Sequence, residues 1–248
     1  MNSMNQNSAF PTQPSRPSPG ILSRIDWAEF GGMVGMLLVI MFLWSTVLVY
    51  PLKVLVVFFH ELSHGLAAIL TGGSIVEIAM VAEEGGHCVT AGGNNFIITS
   101  AGYLGSLVWG AAILITASRT KYDRQILTGL GVLMIAVAVI YVRPLMGFGF
   151  VFSAVSGAAM IVVARLLGGR VSDILLRLIG LTSCMYVVLD IKSDVLDRPE
   201  LKSDAWHLSQ TVGLPVWFWG FLWIAIAIAG AVAALIVASR GEASGERE

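Results

Sequence analysis

The apolar positions of this chain come in long unbroken runs, not in the alternation of a half-buried strand or the one-sided stripe of a surface helix. Residues 30–52 carry no charge. The stretches 96–117, 125–142, 144–164 and 212–238 are equally free of Asp, Glu, Lys and Arg. Two more, about 53–72 and 171–190, are apolar apart from a few polar residues. A helix needs about 20 apolar residues to cross the hydrocarbon layer of a bilayer. The pattern therefore predicts an all-α polytopic membrane protein with about seven transmembrane helices. The ten-residue alternating segments of a membrane β-barrel are missing.

Between the second and third runs the pattern changes. Ser74-Ile-Val-Glu-Ile-Ala-Met-Val-Ala and His87-Cys-Val-Thr-Ala flank Glu83-Glu-Gly-Gly. β-Branched residues on both sides of a Gly-Gly turn predict a small β-hairpin over 74–91, lying at the membrane surface. In the third run Gly102, Ser106 and Gly110 recur every four residues, a spacing that lets another helix approach closely. Residues 191–211 read as a polar loop with Asp194, Asp197, Glu200 and Asp204. Trp217, Trp219 and Trp223 open the last run as an interfacial aromatic belt. Residues 1–29 form an expected disordered polar tail, rich near its start in Pro, Ser and Asn. The first apolar run begins too late and is too long for a cleaved signal peptide. One transmembrane domain over 30–239 follows, with its core at about 52–195, and 240–248 is a second polar tail.

Composition agrees. The 248 residues are 56% hydrophobic and 12% charged, with mean hydropathy +0.80, outside the range of soluble globular domains. A net charge of −1 offers no electrostatic footprint for nucleic acid. Cys88 and Cys184 make no disulfide framework. Lys and Arg are divided evenly between the two sides, so the positive-inside rule hardly sets the orientation. A bacterial inner membrane is the expected location.

The chemistry concentrates in His60-Glu-Leu-Ser-His64, inside the second apolar run. On a helix, His-Glu-x-x-His sets two imidazoles one turn apart on one face, the arrangement that grips a zinc ion. Ionisable groups inside a spanning helix are costly, about 2.5–3.5 kcal/mol for a charge at its centre on insertion scales. A bound metal gives them a reason to be there. His60 and His64 are then ligands, and Glu61 is the general base toward water. Hydrolytic zinc sites usually have three protein ligands. Asp190 is the favoured third, because it closes the apolar stretch Met185-Tyr-Val-Val-Leu at or near membrane depth. Asp194, one turn further on the same face, is the alternative, and Asp204 a more distant rival. His87 and His207 read as exposed loop residues.

Phe59-His-Glu-Leu-Ser-His-Gly resembles the zinc motif of the site-2 protease family, the intramembrane zinc metallopeptidases. Three further features resemble that family in the same order, over about residues 55–190. Gly72-Gly73 and the hairpin match its membrane-surface β-segment. Ser100-Ala-Gly-Tyr-Leu-Gly-Ser is similar to its Ala-Gly-Pro-x-x-Asn helix, with Tyr103 in place of Pro and Ser106 in place of Asn. Leu189-Asp190 is similar to its Leu-Asp-Gly motif, with Ile191 in place of Gly. No insertion is large enough for a PDZ domain, so the chain resembles a short, divergent branch. The resemblance implies a zinc endopeptidase that cleaves transmembrane protein substrates within the lipid bilayer. His60, His64 and Asp190 would be its ligands and Glu61 its base, with Gly102 and Ser106 in helix packing or substrate contact. Two other classes stand beside it: a non-proteolytic zinc-binding scaffold or chaperone on the same fold, and a small-solute transporter. The intact Glu61 argues against the first, and the absence of an internal repeat against the second.

Overall fold

The computed structural model describes residues 25–198 and 200–240. Six of its helices are long and apolar enough to cross a membrane: α2 (Tyr50–Leu70), α3 (Asn95–Arg119), α4 (Asp123–Tyr141), α5 (Phe148–Leu166), α6 (Gly169–Ile191) and α8 (Val216–Ala238). The chain is an integral membrane protein. A seventh apolar helix, α1 (Trp27–Phe42), has 16 residues and is shorter than a full span. The uncharged run over 30–52 breaks after Phe42 and helix resumes at Tyr50, where Pro51 takes the first turn of α2. There the missing N–H of proline costs no hydrogen bond. Of the expected polar tails, 1–24 and 241–248 lie outside the described residues. Residues 27–29 form the first turn of α1, capped by Asp26, whose carboxylate accepts from the N–H groups of Ala28 and Glu29 at 3.0 and 3.2 Å.

α3 is the hub, packed against α2, α6 and α8. Small residues allow this. Where α3 crosses α6, a Cβ on Gly110 or on Gly180 would lie 2.9 Å from the carbonyl oxygen of the other glycine. The backbones touch, as they do when membrane helices pair through small side chains. Ser183 Oγ donates to the carbonyl of Ser106 at 2.8 Å across the same contact.

The hairpin forms over the expected residues. β1 (Ser74–Val81) pairs antiparallel with β2 (Gly85–Ala91), from Ser74 opposite Ala91 to Val81 opposite Gly85, with a register irregularity between Ile75 and Glu77. After Gly72 turns the chain with φ of 88°, the hairpin runs back along α2. Eight strand residues reach about 26 Å, enough to bring its tip to the start of that helix. There Tyr50 Oη donates to the carbonyl of Ala82 at 2.7 Å, and Lys53 Nζ pairs with Glu84 at 2.8 Å. The outer edge of β1 is covered: Arg143 N–H donates to the carbonyl of Ile78 at 2.9 Å. The outer edge of β2 has no strand partner among the described residues.

The segment expected as a polar loop over 191–211 is structured. α6 continues into a π-helical turn (Lys192–Asp197), and a further helix, α7 (Asp204–Val212), lies before α8. Ser203 caps α7 by accepting from Trp206 N–H at 3.4 Å, and Gly213, with φ of 81°, ends it. Ala205 and Leu208, one turn apart, are buried among Trp219 and Trp223 of α8 and Ile191 and Val195.

Candidate metal centre

His60 and His64 leave α2 one turn apart, with ring centroids 4.8 Å apart. They face α3 at Gly102, where a Cβ would lie 2.4 Å from His60 Nε2 and 2.6 Å from His64 Nε2. Any larger residue would fill the space in front of both nitrogens. Tyr103 stands edge-on to His60, centroids 4.9 Å apart. His64 Nδ1 donates to the carbonyl of Ile98 at 2.7 Å. That bond fixes the tautomer, so in the neutral ring Nε2 presents a lone pair, as the outer partner of a metal-binding histidine does.

The third group comes from α7. Asp204 Oδ2 lies 3.2 Å from His60 Nε2 and 3.3 Å from His64 Nε2. The side chains are only 15%, 16% and 10% exposed, yet Oδ2 has no hydrogen-bond partner among the described residues. A buried carboxylate oxygen aimed at the lone pair of His64 is unfavourable unless a cation or a proton sits between them. Tetrahedral zinc, with bonds of about 2.0–2.1 Å to nitrogen and oxygen, sets its ligands about 3.3 Å apart. The donors therefore fit such an ion in number, type and spacing.

Glu61 is 4% exposed and packs under the hairpin, where a Cβ on Gly86 would lie 2.7 Å from its Oε1. The whole group opens on a cleft of about 830 Å³, lined also by β2 and by α6 at Asp190. Burial, helped by Glu61, pushes the Cys88 thiol on that wall up to about 12, so it stays protonated.

The structure thus brings His60, His64 and Asp204 together, and among the described residues they are the group able to hold a metal ion. Asp190, favoured as third ligand from the sequence, lines the same cleft but stands outside this group. Asp194 is engaged elsewhere: its Oδ2 accepts from Tyr103 Oη at 3.0 Å and its Oδ1 from Arg198 at 2.6 Å. Gly102 lies against both imidazoles. Ser106 is buried in α3, where its Oγ donates to the carbonyl of Gly102 at 3.1 Å. His87 on β2 and His207 on α7 are exposed on the cleft wall. A signal for Asp204 did exist. Ser203 as a cap, Ala205 and Leu208 at helical spacing, and Gly213 as a stop together mark a short amphipathic helix.

Fold and site define a polytopic membrane protein with two imidazoles and one carboxylate at the side of a spanning helix, placed so that they could hold a metal ion. A family model described as Peptidase M50B-like matches residues 33–234, most of the chain, and the protein belongs to that family. The family is an intramembrane metallopeptidase family, generally zinc-dependent. No curated protein and no solved structure matches the chain.

Proposed function

We propose that the protein is an intramembrane zinc metalloendopeptidase that hydrolyses peptide bonds of membrane-spanning proteins, working in a bacterial inner membrane. The convergence of His60, His64 and Asp204 beside the buried Glu61 carries this reading. His60, His64 and Asp204 would hold the ion. Zinc, when bound, polarises the scissile carbonyl and brings the pKa of water toward 7.

The chain's own residues supply the rest. The outer edge of β2, which lines the cleft, pairs with an unwound stretch of substrate and presents its backbone extended. A helical segment hides its peptide bonds in its own hydrogen bonds, so this pairing exposes the carbonyl to attack. Glu61 takes a proton from the attacking water as its oxygen bonds to the carbonyl carbon. The same carboxyl then gives that proton to the departing amide nitrogen, and the C–N bond breaks to leave an acid and an amine. The packing of Glu61 against Gly86 limits how far its carboxylate swings between the two transfers.

The test is Glu61→Gln in the full chain, reconstituted with zinc and offered a membrane-spanning peptide. Glutamine keeps the shape and cannot take a proton. Cleavage falls by roughly 10²–10⁴-fold, while bound zinc stays at the wild-type amount. Cleavage at the wild-type rate contradicts the assignment of the base. A purely structural metal site has no use for Glu61.

A further inference from the structure

Asp190 is a carboxylate of the cleft with no partner among the described residues. Asp190 stands near the end of α6, half-buried, within a segment counted among the membrane spans. It lines the same cleft as His60, Glu61 and Asp204. Three other acids of the cleft are engaged. Asp194 takes Tyr103 and Arg198, Glu84 takes Lys53, and Asp204 faces the two imidazoles. Asp190 has no hydrogen bond or ion pair among the described residues.

Neither of the two Lys or Arg side chains on the cleft wall pairs with Asp190 among the described residues. Of the basic residues on the cleft wall, Arg198 is held by Asp194 and Ser193, and Lys202 lies over the Trp206 ring at 5.6 Å. An ionisable group at membrane depth is costly without a partner, and such groups mark substrate paths. The missing partner arrives from outside. We infer that Asp190 is a specificity-determining residue, which receives a Lys or Arg side chain of the substrate stretch lying across the metal centre. This rests on the peptidase reading and names the substrate class it serves. A strand seated on β2 turns alternate side chains toward the remaining wall of the cleft, which includes α6. Membrane-spanning helices commonly carry Lys and Arg beside their ends, where long stems let the charge reach water. A bond close to such an end is the one this cleft selects.

The experiment measures binding, so it does not depend on turnover. The full chain with Glu61→Gln is loaded with zinc in lipid nanodiscs. Its probes are synthetic apolar membrane-spanning peptides with a single Lys, Leu or Glu walked through successive positions, and binding is read by fluorescence anisotropy. At one or two positions Lys binds tighter than Leu by about tenfold, the worth of a hydrogen bond between charged groups, and Glu binds weaker. Adding Asp190→Asn brings the Lys-to-Leu ratio to about one, and Asp190→Lys turns the preference toward Glu. Three results overturn the inference: equal binding of Lys and Leu peptides, a Lys preference that survives Asp190→Asn, or loss of zinc in Asp190→Asn. Cleavage of the same peptides by the protein with Glu61 intact is followed in parallel. Absent cleavage with the Asp190-dependent preference intact removes the peptidase and leaves the subsite. Cleavage without any such preference does the reverse.

Discussion

α2 and α7 meet at one candidate metal site, and they are built in opposite ways. α2 has 21 residues, with Phe58 and Phe59 wholly buried, and supplies both imidazoles and the proposed general base from five consecutive positions. α7 has nine residues, lies outside the spanning helices and supplies one carboxylate. The spacing of the imidazoles is a property of helix geometry and holds wherever α2 goes. The position of Asp204 is a property of docking. It depends on Ala205 and Leu208 finding Trp219 and Trp223, and on Ser203 starting the helix at the right residue. The two halves therefore fail differently. Damage to the dock removes a ligand while leaving the motif intact, and metal binding in turn helps to hold α7 in place.

The comparison can be broken most strongly at Leu208, which is 1% exposed. Leu208→Ala leaves a cavity under α7 and costs about 2–5 kcal/mol. Both thermal stability in detergent and zinc affinity fall. Val232→Ala, on the half-exposed face of α8, changes neither. Zinc affinity unchanged in Leu208→Ala would show that α7 is held by something other than this contact. A blow to the other half comes next. Gly102→Ala places a methyl in the space before both Nε2 atoms, at an overpacking cost of about 1–3 kcal/mol. Zinc affinity drops although α7 stays docked, which protection of residues 204–212 from amide hydrogen exchange reports. Full zinc affinity in that variant would mean the imidazoles do not point at Gly102. The smallest effect belongs to Ser203→Ala. Loss of the cap costs about 1 kcal/mol, and zinc affinity weakens a few-fold through Asp204 alone. An identical affinity would separate the cap from the ligand.

The same contrast explains what could be read from the sequence. The spans, the hairpin and His60-Glu-Leu-Ser-His64 were legible because each is a local pattern: run length, a Gly-Gly turn, an i, i+4 spacing. The break between Phe42 and Tyr50 was not, because a run without charges does not say where a helix stops. The third donor was not legible either. Asp190 and Asp204 are both acids in or beside the 191–211 segment, and only the docking of α7 decides which one reaches the imidazoles. Reading that segment as a plain loop hid the amphipathic helix that carries Asp204. Asp190 was noticed for a sound reason, its membrane depth, and that depth now points to a different partner.

Zinc affinity of the purified full chain, titrated against a competing chelator for wild type, Asp204→Ala and Asp190→Ala, tests the metal centre most directly. Asp204→Ala is expected to lose more than the roughly 100-fold that removing an outer partner of a ligand costs, and Asp190→Ala to stay close to wild type. Tight zinc in Asp204→Ala together with its loss in Asp190→Ala would contradict the centre described above.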